Sequence, residues 1–226
     1  MTSRIAFLTI GQSPRHDLSG VVERALPPGV EISHLGALDG IDREEIDARF
    51  ASRSGQPWLI SKLADGTVIT LDVEAIGVRL QLCIERLEAQ GAEIIVLLCT
   101  GEFPGLTTDR ATLIEPDAVM CRTVAGLLGT RQAGILLPLP EQVDEARAKW
   151  SVLGKPPLFA FASPYDGDAA GLICAAREVL DAGAQALVLD CMGYRPEHKQ
   201  ALRAAGIAQP VLVSGVVMAA ALGAFL

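Results

Sequence analysis

The sequence predicts an α/β fold of two similar lobes, each a parallel sheet flanked by helices. Three observations predict it: short apolar runs alternating with helical segments, an internal repeat of one strand-and-turn unit, and a cysteine at the same place in both copies.

The apolar runs are Ile5–Ile10, Ile94–Leu98, Ala133–Leu137, Leu158–Ala162, Ala186–Leu189 and Val211–Val213. They are continuous rather than alternating, as strands buried on both faces require. Between them, Glu74–Gln90 sets Ile76, Leu80, Cys83, Ile84 and Leu87 on one face at helical spacing, and Asp168–Ala182 does the same with Leu172, Ile173, Ala176, Val179 and Leu180. Gly91 and Gly183 follow these helices, where a left-handed C-terminal turn favours a residue without Cβ.

The repeat is the most informative feature. Gly91–Gly101 (GAEIIVLLCTG) aligns with Gly183–Gly193 (GAQALVLDCMG), with six of eleven positions identical. Each copy reads as helix end, buried strand, cysteine and turn. Two fainter echoes join Leu113–Met120 to Val211–Met218 and Arg4–Ile10 to Arg131–Leu137. Two copies are too few for a solenoid, so two lobes with approximate twofold symmetry are expected. Ligands of open parallel sheets bind beyond the carboxyl ends of the strands, where Cys99 and Cys191 both stand. The symmetry is expected to set them face to face in a cleft shared by the lobes.

Additional segments decorate the first lobe. Residues 58–72 read as a hairpin turning at Asp65-Gly66, placed as decoration or subunit contact away from the repeated strand ends. The charged segment Asp39–Phe50 reads as a short surface helix.

Composition narrows the partners. Half of the 226 residues are hydrophobic, enough for a substantial core, and the net charge of -8 without a Lys/Arg run argues against nucleic acid. A small-molecule ligand is expected. Residues 211–226 are apolar but fall short of the roughly 18–20 residues of a membrane span, and Ser214-Gly215 interrupts them, so no membrane partner is expected. Ile5–Ile10 is too short for a signal-peptide core. Five cysteines without a C-x-x-C pair suit reduced thiols in a cytoplasm, and His16, His34 and His198 show no metal spacing.

Two opposed thiols suggest a reaction. Inverting a carbon next to a carboxylate needs a base on one face and an acid on the other. One thiolate and one thiol meet that need. A free cysteine titrates near ~8.5, and nearby backbone N–H groups lower that value. The turns Thr100-Gly101 and Met192-Gly193 are placed to supply such groups, for the sulfurs or for a substrate carboxylate. Against this, a lone buried cysteine is usually a small hydrophobe; the matched duplication is what favours function here. Cys83, Cys121 and Cys174 fall within predicted helices and are read as packing.

The first strand ends in Gly11-Gln12-Ser13-Pro14-Arg15, where Gln12 and Ser13 are candidates to bind a carboxylate and Arg15 to pair with one as a fork. The same residues also read as a helix start, with Ser13 as N-cap and Pro14 at the first helical position. The segment Ser163-Pro164-Tyr165 either brings Tyr165 to the cleft or is ordinary turn chemistry. Ser214 reads as a helix cap, and His16 as a weaker candidate near the site's mouth.

The motifs Gly-Gln-Ser-Pro-Arg at 11–15, Leu-Cys-Thr-Gly-Glu-Phe at 98–103 and Asp-Cys-Met-Gly-Tyr at 190–194 resemble the AroM family over nearly the whole chain. More remotely, the two cysteine strands and the repeat resemble the aspartate/glutamate/hydantoin racemase superfamily. That resemblance implies flavodoxin-like sheets and racemisation without pyridoxal phosphate or any other cofactor or metal. Cys99 and Cys191 would be the bases, and a small carboxylate or amino acid would meet Ser13, Thr100, Gly101, Met192 and Gly193. It also implies one lobe from residues 1–112 plus 211–226, another from 113–210, and a homodimer by family habit. Glutamate racemases carry Cys-Asn-Thr, Cys-Thr-His and Asp-Ser where this chain has Cys-Thr-Gly, Cys-Met-Gly and Gln-Ser. Related members isomerise maleate or decarboxylate malonates. A regulatory carboxylate binder linked to the shikimate pathway and a thiol redox sensor therefore stand as alternatives.

Overall fold

The computed structural model describes residues 3–53 and 58–226. The chain runs β1 (Arg4–Thr9), α1 (His16–Glu23), β2 (Glu31–Gly36), α2 (Arg43–Arg49), β3 (Trp58–Lys62), β4 (Val68–Asp72), α3 (Val73–Ala89), β5 (Ile94–Leu97) and β6 (Thr112–Ile114). It continues through α4 (Pro116–Leu128), β7 (Ala133–Leu137), α5 (Val143–Lys149), β8 (Leu158–Phe161), α6 (Ala170–Asp181), β9 (Ala186–Leu189), α7 (Pro196–Ala204), β10 (Val211–Val213) and α8 (Ser214–Phe225).

Two four-stranded parallel sheets form, ordered β2-β1-β5-β6 and β10-β9-β7-β8, with the antiparallel hairpin β3-β4 apart from both. Counted along the chain without the hairpin, both sheets have the order 2-1-3-4. This is the doubly wound α/β arrangement whose ligands bind where the connections diverge, beyond the first and third strands. The repeat therefore extends to every strand: β1 matches β7, β2 matches β8, β5 matches β9 and β6 matches β10.

The chain divides into two compact units, one reaching Ser19 and resuming from Leu26 to Pro116, the other comprising Gly20–Ala25 and Asp117–Leu226. This corrects the expected return of residues 211–226 to the first lobe. Val211, Leu212 and Val213 pair with Leu187, Val188 and Leu189. The physical reason lies in the repeat itself: β6 edges the first sheet beside β5, so its copy β10 completes the second sheet beside β9.

Helix α3 shows how sequence sets the elements. Asp72 caps it by accepting from the Ala75 N–H at 2.8 Å, its apolar stripe Ile76, Leu80, Ile84 and Leu87 is buried, and Gly91 leaves it at φ +87°. In the second unit the strands separate two cores by alternation. Leu187 and Leu189 of β9 join Leu172, Ala176 and Val179 of α6, whereas Ala186 and Val188 join Met120 and Val124 of α4 and Trp150. Helix α8 is apolar along its length. A Cβ on Gly223 would lie 3.3 Å from the Ala25 carbonyl oxygen at the end of α1, and one on Gly215 4.0 Å from the Val21 Cβ. Among the described residues, no helix is long and apolar enough to cross a membrane.

Candidate active site

In the first unit, β5 delivers Cys99. The Leu98 N–H bonds to the Leu8 carbonyl at 2.7 Å, extending the β1-β5 ladder one step beyond the strand. The chain then turns, and the Gly101 N–H points at the Cys99 sulfur from 3.3 Å. Cys99 is buried at the edge of the core, with Thr100 beside it. An N–H aimed at sulfur favours the thiolate, while burial opposes it.

The second unit repeats this turn. The Asp190 N–H bonds to the Leu136 carbonyl at 3.0 Å, and the Gly193 N–H points at the Cys191 sulfur, again from 3.3 Å. Cys191 is half-buried, and the neighbouring Met192 is buried. Each cysteine thus sits beyond the third strand of its own sheet with the same donor.

Both turn glycines are required by close packing. A Cβ on Gly101 would fall 2.7 Å from Leu59 Cδ2, with Phe103 at 3.7 Å. A Cβ on Gly193 would fall 2.8 Å from Pro164 Cγ and 2.9 Å from the Tyr165 hydroxyl. Tyr165 therefore reaches the Cys191 turn, and its own N–H bonds to Ser163 Oγ at 3.1 Å.

The hairpin expectation is corrected by the same contact. Rather than standing away from the strand ends, β3 brings Leu59 onto Gly101 and packs against the loop after β1. The Gln12 N–H bonds to the Lys62 carbonyl at 3.3 Å, and a Cβ on Gly11 would lie 2.4 Å from that oxygen. Leu59, Ile69 and Leu71 belong to the same core cluster as Cys99 and Phe103. The apolar side of the hairpin is buried beside the Cys99 turn.

The loop residues picked for carboxylate binding prove to be bonded within their own unit. Gln12 Oε1 accepts from the Ala64 N–H at 2.8 Å, and its Nε2 donates to the Leu38 and Ile41 carbonyls at 3.4 and 3.3 Å. Ser13 does not cap α1; its N–H and Oγ donate to Asp39 at 2.7 and 2.6 Å, and Asp39 also accepts from the Gly36 N–H at 2.8 Å. The Arg15 fork is occupied by Asp17, at 2.8 Å from both Nε and Nη2, with Ser61 Oγ 3.4 Å from Nη1. Burial opposes ionisation of Asp17, yet the Arg15 guanidinium outweighs it and holds the carboxyl below its ordinary range.

Four further expectations change. His16 stacks edge-on against His34 at 5.0 Å, and His34 of β2 stacks on its register partner Phe7 of β1, a pairing that sequence spacing did not reveal. Ser214 donates from Oγ to the Leu189 carbonyl at 2.8 Å, tying α8 to β9 instead of capping it. Cys83 and Cys121 are buried as expected, but Cys174 is exposed on α6. Helix α2 is not purely superficial, since Ile46 and the following Phe50 are buried.

The sequence reading missed a charged cluster under the second turn. Lys149 Nζ lies 2.8 Å from Asp190 Oδ1 and 3.3 Å from Asp117 Oδ1, and the Trp150 indole donates to Asp190 Oδ2 at 2.7 Å. Lys149 and Asp190 are 6% and 3% exposed, a buried ion pair. Burial alone depresses the Lys149 ammonium, but Asp190 and Asp117 outweigh it and raise its pKa. Tyr194, with its hydroxyl bonded to the Ala162 carbonyl at 2.5 Å, is pushed well above the phenol range, first by burial and then by its neighbours Cys191, Asp190 and Asp166. The available signal was the repeat, in which Asp190 replaces Leu98.

Two parallel sheets of one strand order, flanked by helices, are the architecture of the racemase-type α/β fold. The chain belongs to the AroM family, whose model, described as AroM protein, matches residues 5–226. A sequence search of curated proteins finds no match. Among solved structures, an allantoin racemase from Klebsiella pneumoniae is similar at 16% identity and a TM-score of 0.62, over 99% of this chain and 87% of that one. An aspartate racemase of Picrophilus torridus is similar at 13% identity and a TM-score of 0.58, over 97% and 92%. An arylmalonate decarboxylase is similar at 15% identity and a TM-score of 0.58, over 97% and 92%. At these identities the likeness is one of fold.

Proposed function

We propose that this protein is a cofactor-independent racemase or isomerase that moves a proton at the carbon beside a carboxylate, with Cys99 and Cys191 as its two bases. The observation that carries this reading is the matched pair of glycine N–H groups, each 3.3 Å from its cysteine sulfur. A donor held by backbone rather than by a rotamer stabilises a thiolate without reorganisation. In each turnover one thiolate takes the Cα proton, leaving the electron pair on the substrate, while the other thiol delivers its proton to the opposite face. The reading requires both sulfurs to serve one bound acid. The Gly101 and Gly193 N–H groups serve the sulfurs, so the substrate carboxylate falls to the remaining groups of each turn, Thr100 and Met192 included.

A second reading, a non-catalytic carboxylate binder, is favoured by one observation: Cys-Thr-Gly, Cys-Met-Gly and Gln-Ser stand where glutamate racemases carry Cys-Asn-Thr, Cys-Thr-His and Asp-Ser. One experiment separates the two. The protein is incubated in D2O with pooled amino, hydroxy and aryl-substituted acids, and deuterium at Cα is followed by NMR. Exchange abolished by Cys99→Ser and by Cys191→Ser supports the racemase. Saturable binding of an acid without exchange would replace it with the binder.

A further inference from the structure

Strand β10 is the edge of the second sheet, and the helices on either side of it in the chain pack on opposite faces. Leu202 of α7 shares a core with Val211 and Val213, whereas Val217 of α8 packs with Leu212 into the other. Between the two helices the edge stays open, along a groove of about 680 Å³. Residues 211–213 form its floor, with Val216 and Val217 of α8 on the far wall. The near wall is a single stripe of α7, Pro196, Lys199, Gln200 and Arg203, at the i, i+3, i+4, i+7 spacing of one helix face.

Only one copy of the repeat builds this wall. In the first unit β6 is likewise an edge strand, but the chain passes from β5 to β6 without a helix. The charge of the groove also departs from that of the chain. The net charge is -8, yet among the described residues no acidic side chain lines the groove. Lys199 is half-buried, and neither it nor Gln200 makes a hydrogen bond or ion pair among the described residues. Arg203 is held at the rim by donating from Nη1 to the Ile207 and Gln209 carbonyls at 2.5 and 2.8 Å, bonds that leave its charge unneutralised.

An apolar floor, a few directed polar groups and a volume of this size suit a small molecule. The cations select an anion, and the valines select its apolar body. Strand β10 has three residues, too short a ladder to hold an added peptide strand. A second copy paired edge to edge would set the two α7 stripes on one face of the joint sheet, cation toward cation.

We propose that the groove between α7, β10 and α8 binds a small carboxylic acid with a branched or aromatic body, its carboxylate held by Lys199 and Gln200 under Arg203. No residue of the Cys191 turn lines the groove, and the inference does not depend on the two-cysteine reading.

The test is titration of the isotope-labelled full chain with phenylacetate, and with phenylacetamide as its neutral match, followed by backbone amide NMR. Saturable shifts are expected at residues 196–203 and 211–217 with the acid. The amide should bind about tenfold more weakly, because it forgoes the charge-assisted bond to Lys199. Lys199→Gln should lower the acid to the affinity of the amide, and Val216→Glu should abolish both. These two side chains reach the surface, so native unfolding midpoints are expected. Cys99→Ser and Cys191→Ser should leave the shifts in place. No shift at these residues up to millimolar acid overturns the inference, as do equal affinities for acid and amide, or acid binding undiminished in Lys199→Gln. Shifts at the same residues on raising the protein concentration alone, with a dimer in sedimentation, give the groove to a second copy and overturn it too.

Discussion

Leu59 of the β3-β4 hairpin occupies the space that a side chain at Gly101 would need, its Cδ2 lying 2.7 Å from the ideal Cβ position. The turn that presents Cys99 is thus shaped from outside its own strand, by an insertion that the second unit lacks. Gly101→Ala is expected to cost about 1–3 kcal/mol by overpacking. Leu59→Ala alone is expected to cost about 2–5 kcal/mol as a cavity. Combined, the two should cost less than their sum, because the new methyl enters the space the leucine leaves. Urea unfolding of the three variants measures the coupling, and strict additivity would contradict the contact.

Lys149→Met strands Asp190 with only the Trp150 indole for a partner. A broken buried pair costs about 3–5 kcal/mol, whereas replacing both members by apolar groups is often neutral. Lys149→Met/Asp190→Leu should therefore be more stable than Lys149→Met alone, yet stay below the native protein because the buried Trp150 indole loses its acceptor and Asp117 its cation. Chemical denaturation of the single and double variants checks the order.

Glu88 of α3 anchors the segment leading into β6. Its carboxylate accepts from the N–H groups of Ala111 at 2.8 Å, Arg110 at 2.7 Å and Asp109 at 3.1 Å, and these bonds hold its pKa below the ordinary 4.5. A depressed folded pKa means that the stabilisation is complete above the unfolded value and disappears as pH falls through the folded one. Glu88→Gln should accordingly be less stable than the native protein at neutral pH, with the gap closing below pH 4.5. Unfolding curves from pH 7 down to the acid limit read this directly, and a gap independent of pH would count against it.

Asp39 gathers three donors, the Ser13 N–H and Oγ and the Gly36 N–H, and so joins the loops after β1 and β2. Asp39→Ala leaves these donors to water or to nothing, at a cost of about 1–3 kcal/mol. Asp39→Asn, which keeps one acceptor, should lie between the alanine variant and the native protein. Thermal or urea unfolding ranks the three.

The fold was legible where burial writes itself into composition. The six continuous apolar runs all became strands, and the repeat anticipated the matched Cys-x-Gly turns because a duplicated turn preserves the residues its geometry needs. Strand β2 escaped because Glu31-Ile-Ser-His lies on a sheet edge and is exposed or half-buried, without a hydrophobic run. The partners of Gln12, Ser13 and Arg15 escaped for another reason. Polar side chains at a loop read alike whether they face a ligand or Asp39, Ala64 and Asp17, and only tertiary placement separates these cases. Asp190 stood in plain view in the repeat, but its partner Lys149 lies 41 positions away and no local pattern links them.

Helix α8 leaves the chain's last stretch ill-suited to trimming. Its Gly223 admits the backbone just after α1, where a Cβ would lie 3.3 Å from the Ala25 carbonyl oxygen, and Met218 and Leu222 are buried. A protein shortened before Ser214 would expose the oily flank of α1 and lose the tether from Ser214 to β9, inviting clumping during purification.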